Sequence, residues 1–195
     1  MKSTISEIAS ALGLKCDSGN TIDTLLTDSR SLMRPESSLF FAIHTPGGND
    51  GHKYMRDLYN KGVRFFVAEY VPENMNQCPD AVILKTDNTI RALRETASLA
   101  RKKTCERVAI TGSRGKTTLK EWIFQLMEPL KEIARSPRSY NSQIGVPLSM
   151  WEIEDSTAIA IIEAGISRKG EMKTLAECIC CLLYTSPSPR DGLLS

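Results

Sequence analysis

The sequence predicts an α/β fold in two parts, a small N-terminal α/β domain followed by the first part of a P-loop-type parallel-sheet domain. Three observations carry that expectation. Short apolar runs alternate with helical patterns up to about residue 86. The apolar run Arg107-Val108-Ala109-Ile110 enters the glycine-containing stretch Thr111-Gly112-Ser113-Arg114-Gly115-Lys116-Thr117-Thr118 and then a helical stripe. A further run, Ala158 to Ile162, ends in Glu163-Ala164-Gly165.

Each element has a local reason. Thr4 and Glu7 form a capping box for a helix over residues 4–13, with Ile5, Ile8, Ala9 and Leu12 on one face. A turn-rich stretch, Thr27 to Ser31, precedes Leu39-Phe40-Phe41-Ala42-Ile43, which suits a buried strand. After the loop from His44 to Gly51, Tyr54, Met55, Leu58 and Tyr59 share a helical face that Gly62 stops. Val63 to Ala68 and Ala81 to Leu84 read as two more strands, and Asn88 to Lys103 as a connecting helix. Beyond the glycine loop, Leu119, Trp122, Ile123, Leu126, Met127 and Leu130 form one continuous apolar stripe, ended by Pro129. The expected boundaries are an N-terminal domain over 1–86, a connector over 87–106 and a partial second domain over 107–179. Residues 180–195 crowd serine and proline without period and resemble a translated sequencing adapter, so a non-native tail on a truncated gene product is expected.

Composition excludes several classes. Hydrophobic residues make up 41% and charged residues 25%, enough apolar material for a core. A net charge of +2 without like-charge blocks argues against a nucleic-acid partner. No apolar run reaches the roughly 20 residues of a membrane span, and the N-terminus has no signal segment, so the expected location is cytoplasmic. Of the six cysteines, Cys178, Cys180 and Cys181 cluster, but no His or second Cys pair stands at zinc-site spacing. His44 and His52 show no partner carboxylate pattern, which argues against a metal role.

The glycine loop carries the chemistry. A strand that turns through glycines into a helix points backbone N–H groups at one spot, where the helix dipole adds about half a positive charge. Gly112 and Gly115 let the backbone wrap phosphate oxygens, with Ser113, Arg114 and Thr118 completing the loop. Lys116 is placed to reach β- and γ-phosphates, and the Thr117 hydroxyl to coordinate Mg²⁺. The general pattern G-x-x-x-x-G-K-[ST] would put glycine at 110, where this chain has Ile110. Glu163, at the carboxyl end of a strand, is either a hard-oxygen ligand for Mg²⁺ or a solvated carboxylate. Asn141 either binds substrate or caps a turn. Ser29 and Arg30 either grip a diphosphate or are solvated.

Together these segments resemble the Mur ligases. The short glycine loop matches that family's ATP loop and accounts for Ile110. Asp28-Ser29-Arg30-Ser31-Leu32, Ser38-Leu39-Phe40-Phe41-Ala42 and Asp50-Gly51-His52 look like its UDP-sugar-binding N-terminal domain. Asn141-Ser142-Gln143-Ile144-Gly145-Val146-Pro147-Leu148 and Glu163 to Glu171 are most similar to the members that add D-alanyl-D-alanine, including forms fused to an alanine racemase. The resemblance implies an N-terminal UDP-binding domain and a partial ATPase domain. It implies an ATP- and Mg²⁺-dependent amide ligase of peptidoglycan precursor synthesis, joining D-alanyl-D-alanine to UDP-N-acetylmuramoyl-tripeptide through an acyl phosphate. Lys116 and Asn141 become catalytic candidates, and Thr117 and Glu163 metal ligands. Ser29, Arg30 and Asn141 become substrate-binding candidates. Ser142 departs from the second asparagine of many relatives. The family's carbamylated lysine and later metal-binding histidine have no counterpart here, so the chain alone is expected to be inactive. The alternatives are the sibling ligase adding the third amino acid, a non-catalytic UDP-sugar or nucleotide binder, and an unrelated P-loop kinase or GTPase.

Overall fold

A computed structural model describes residues 3–45, 47–99, 105–168 and 170–180. Residues 181–195 of the tail expected over 180–195 and the far end of the connecting helix lie outside them. The chain divides into two compact units between Thr96 and Ala97, inside the segment expected to connect two domains.

In the first unit, β1 (Ser3–Thr4) pairs antiparallel with β2 (Thr21–Ile22). The capping box starts α1 (Ile5–Ala11): the Thr4 hydroxyl accepts from the Glu7 amide at 3.2 Å while the Glu7 carboxylate accepts from the Thr4 amide at 3.0 Å. Four parallel strands follow in the order β3 (Thr24–Leu26), β4 (Ser38–Phe41), β5 (Phe65–Ala68) and β6 (Val82–Lys85). Every residue of β4 and β5 is buried, which is why both read as unbroken apolar runs. A 3-10 turn (Gly51–Tyr54) leads into α2 (Met55–Asn60), whose Met55 and Leu58 enter the core beside Phe40 and Phe66. Gly62, at φ +102°, ends that helix. Helix α3 (Thr89–Ala97) follows β6.

The second unit is a parallel three-stranded sheet in the order β7 (Glu106–Ile110), β9 (Ile159–Glu163), β8 (Ile133–Arg135). One face packs against α5 (Gly145–Trp151) and α6 (Glu171–Ile179) through Val146, Met150, Leu175 and Ile179. The other face carries α4 (Lys116–Met127). The expected stripe on α4 is corrected here. Ile123, Phe124 and Met127 pack against Ile110, Ile159 and Ile161, whereas Leu119, Trp122, Leu126 and Leu130 are 47–78% exposed. The sheet takes the flank at Lys120, Ile123, Phe124 and Met127, itself a helical spacing, and a lysine in that set concealed it.

Among the described residues, no helix is long and apolar enough to cross a membrane.

Candidate functional site

Strand β7 ends at Ile110, and the chain turns through Gly112 and Gly115 into α4. Gly115 is the N-cap, at φ +78°, a left-handed backbone that residues bearing a Cβ adopt only with strain. Among the described residues no side chain caps α4, which leaves its first amides without a side-chain acceptor. Gly112, Ser113, Arg114, Gly115 and Thr118 are all exposed around this turn. The Lys116 ammonium folds back and donates to the Gly112 carbonyl oxygen at 2.7 Å.

Three separate segments meet beside the loop. Parallel pairing of β7 with β9 sets Ile110 against Glu163, which brings the Glu163 carboxyl under the start of α4. The Thr117 hydroxyl donates to Glu163 Oε2 at 2.8 Å, and Asn141 Nδ2 donates to Glu163 Oε1 at 2.7 Å. Ser139 Oγ lies 3.5 Å from Thr117 Oγ1. Glu163 is only 1% exposed, so the solvated strand-end carboxylate is not what forms. Nor is Asn141 a simple turn cap, since its amide reaches a carboxylate 22 residues away. Ser142 takes a capping part, its hydroxyl accepting from the Gly145 amide at 3.2 Å at the start of α5.

Two residues of this cluster escaped the sequence reading. Lys120 is completely buried, its Nζ donating to the Ser136 carbonyl at 2.8 Å and to that of Arg138, 3.8 Å from Glu163 Oε2. Its one available signal was position, since it follows Lys116 and Thr117 by four and three residues and so shares their helix face. Ser136, at the end of β8, accepts the Glu163 amide on its hydroxyl at 2.8 Å. A lone serine after a short strand gives no signal in the sequence.

The donor set fits Mg²⁺. A buried carboxylate and a hydroxyl are hard oxygen donors, and Mg²⁺ is ordinarily held by one or two carboxylates plus phosphate oxygens and water. Among the described residues no group of three or more His, Cys, Asp or Glu converges, so a cage built of protein alone is not what these residues offer.

The other candidates lie in the first unit. Ser29 and Arg30 sit in a 3-10 turn (Ser29–Ser31) capped by Asp28. The Arg30 guanidinium, 88% exposed, forks onto Asp28 at 2.6–3.2 Å. That pairing brings the Asp28 carboxyl down to about 2. His52, contrary to expectation, has a carboxylate partner two residues back. Its buried ring lies 2.7 Å from Asp50 Oδ1, accepts the Glu69 amide at 3.1 Å on Nε2 and stacks on Tyr70 at 3.9 Å. The Tyr70 hydroxyl closes the group by donating to Asp50 Oδ2 at 2.5 Å. Burial pushes the Asp50 carboxyl up, but the hydrogen bonds from Tyr70 and from the His52 ring and amide outweigh it and bring it to about 2.

Residues 110–182 match the Mur ligase middle domain. The chain is 35% identical over 148 residues to the UDP-N-acetylmuramoyl-tripeptide--D-alanyl-D-alanine ligase of Borreliella burgdorferi, covering 72% of this chain and 31% of that protein. It is 33% identical over 132 residues to the enzyme of the same name in Bacillus subtilis, covering 65% and 28%. The chain thus spans about a third of the length of these curated relatives. The fold is shared with MurF of Acinetobacter baumannii, at TM-score 0.81 and 21% identity over 93% of this chain and 40% of that one. It is also shared with MurF ligase of Thermotoga maritima, determined in complex with ADP, at TM-score 0.67 and 23% identity over 80% and 35%. A parallel sheet with a short glycine loop, a threonine and a buried strand-end glutamate at its carboxyl edge, together with a relative 35% identical over 72% of the chain, leads to one conclusion: the chain belongs to the Mur ligase family.

Proposed function

We propose that this chain is the UDP-substrate and nucleotide-binding portion of an ATP-dependent ligase that adds D-alanyl-D-alanine to UDP-N-acetylmuramoyl-tripeptide. The observation that carries the reading is the convergence of Thr117 Oγ1 and Glu163 Oε2, 2.8 Å apart, beside an uncapped helix start. The D-alanyl-D-alanine assignment, rather than addition of the third amino acid, follows the names of the relatives.

The residues then take distinct parts. The amides after Gly115 and the α4 dipole bind phosphate oxygens. Lys116 exchanges the Gly112 carbonyl for the β- and γ-phosphates and stabilises charge as the phosphoryl group moves to the tripeptide carboxylate. Thr117 and Glu163 would hold Mg²⁺, which neutralises phosphate charge when bound. Asn141 orients the Glu163 carboxylate, and the dipeptide amine attacks the carbonyl of the acyl phosphate, forming the amide bond and releasing phosphate. In the first unit, Ser29 and Arg30 are the candidates for the UDP diphosphate, Arg30 exchanging Asp28 for phosphate.

The direct test is nucleotide binding by the chain and ligation by a full-length enzyme carrying it. Lys116→Ala should weaken Mg²⁺·ADP about tenfold or more, the loss of one hydrogen bond between charged groups. In the full-length enzyme it should abolish ligation while the UDP-substrate still binds. Unchanged affinity and turnover would refute the assignment. A preference for diaminopimelate or lysine over D-alanyl-D-alanine would move it to the sibling ligase.

A further inference from the structure

Lys120 has no part in the phosphate chemistry above, yet it is 0% exposed. Burying an ammonium group is costly unless its N–H groups find acceptors. Here they do. One goes to the Ser136 carbonyl at 2.8 Å and one to the Arg138 carbonyl, while Glu121 Oε1 stands at 3.3 Å and Glu163 Oε2 at 3.8 Å. Both carbonyls belong to the segment that leaves β8. Arg138 lies there at φ +49°, a backbone that a non-glycine residue keeps only when its surroundings hold it. The same segment delivers Ser139 to Thr117 and Asn141 to Glu163.

We propose that Lys120 is a positioning residue: its ammonium anchors the Ser136–Asn141 segment through two carbonyls, so that Ser139 and Asn141 hold Thr117 and Glu163 in the arrangement that receives a metal-bound phosphate. The functional half of this inference rests on the nucleotide-binding reading. The competing role for a buried lysine here is a simple counter-charge to Glu163. The two roles differ in sign. Removing a counter-charge strengthens binding of a divalent cation at the carboxylate, whereas removing an anchor weakens it.

The experiment measures, by calorimetry, the affinity of the chain for ADP with Mg²⁺ and for ADP with EDTA. The wild type is compared with Lys120→Met, Asn141→Ala and the double variant. Hydrogen exchange is followed on the amides of residues 138–141. Lys120→Met should weaken Mg²⁺·ADP about tenfold and ADP in EDTA by no more than about twofold. The double variant should be no weaker than Lys120→Met alone, because both changes cut one chain of contacts. Exchange at 138–141 should accelerate at least about tenfold in Lys120→Met while β5 stays unchanged. Equal or tighter Mg²⁺·ADP binding, additive losses, or unaltered exchange at 138–141 would each overturn the anchor. If the wild type binds no ADP, the nucleotide reading falls and exchange alone decides the anchor. If Lys120→Met does not fold, Lys120→Ala, which also removes both donors, takes its place, and wild-type binding and exchange in it would overturn the proposal.

Discussion

Replacing Gly145 by alanine tests how tightly the site is built. Gly145 opens α5, and a Cβ placed there would lie 2.7 Å from the Tyr140 carbonyl carbon and 2.8 Å from its Cα. Ordinary contact begins near 3.4 Å, so the backbone of Tyr140 must retreat by about 0.7 Å. Asn141 is the next residue, and the same shift would stretch its 2.7 Å bond to Glu163 to about 3.4 Å, past the usual 2.7–3.2 Å range. Overpacking of this kind costs about 1–3 kcal/mol, and loss of a hydrogen bond to a charged group about 1.5–3 kcal/mol. Against these stands a gain of about 0.4–1 kcal/mol from the reduced entropy of the unfolded chain. The net loss is about 1.5–5.5 kcal/mol, centred near 3.5, or roughly 15–25 °C in the melting temperature of a unit of this size. Both tryptophans, Trp122 and Trp151, lie in the second unit, and Trp151 is buried, so fluorescence reports on that unit alone. A melting temperature equal to or above that of the wild type would refute the crowding argument. A lowered one with unchanged Mg²⁺·ADP affinity would refute the link from Tyr140 to Asn141.

Other outcomes follow from the same geometry. Trp122→Gln, on the exposed flank of α4, should change stability by no more than about 0.5 kcal/mol, whereas Ile123→Ala should cost about 2 kcal/mol by urea titration; the reverse order would restore the original stripe. Gly115→Ala should lose about 1 kcal/mol because φ +78° disfavours any Cβ, and an unchanged urea midpoint would contradict that. The Asp50 carboxyl, lowered from 3.8 to about 2, contributes stability that is complete above its unfolded value and lost as the pH falls through about 2. Discounted for solvent screening, that contribution is about 1 kcal/mol. Tyr70→Phe should shrink the acid-dependent loss measured between pH 5 and 2, and an identical pH profile would contradict the assignment.

Local chemistry made much of the second unit legible. The glycines at 112 and 115, the apolar run before them and the one ending at Glu163 each carry their reason within a few residues. Sequence periodicity also located β4 and β5, because strands buried on both faces read as unbroken apolar runs, and it located β6, whose Val82, Ile83 and Leu84 are apolar although only Leu84 is fully buried. It passed over β3 and β8, three residues each, which are strands only because a neighbour supplies their hydrogen bonds. The capping box of α1 is complete in four residues and was readable. The His52–Asp50–Tyr70 group needs a residue 20 positions away and was not.

The sequence alone therefore determined the glycine loop, its lysine and threonine, and the glutamate at the end of a strand, because spacing along one chain is enough to specify them. Only the tertiary structure decided that Glu163 is buried and shared between Thr117 and Asn141, and that α4 turns Lys120 inward and Trp122 outward. Those facts depend on parallel pairing of β7 with β9 and on which flank of α4 the sheet covers. Both are contacts between segments far apart in the chain, and no local pattern encodes them.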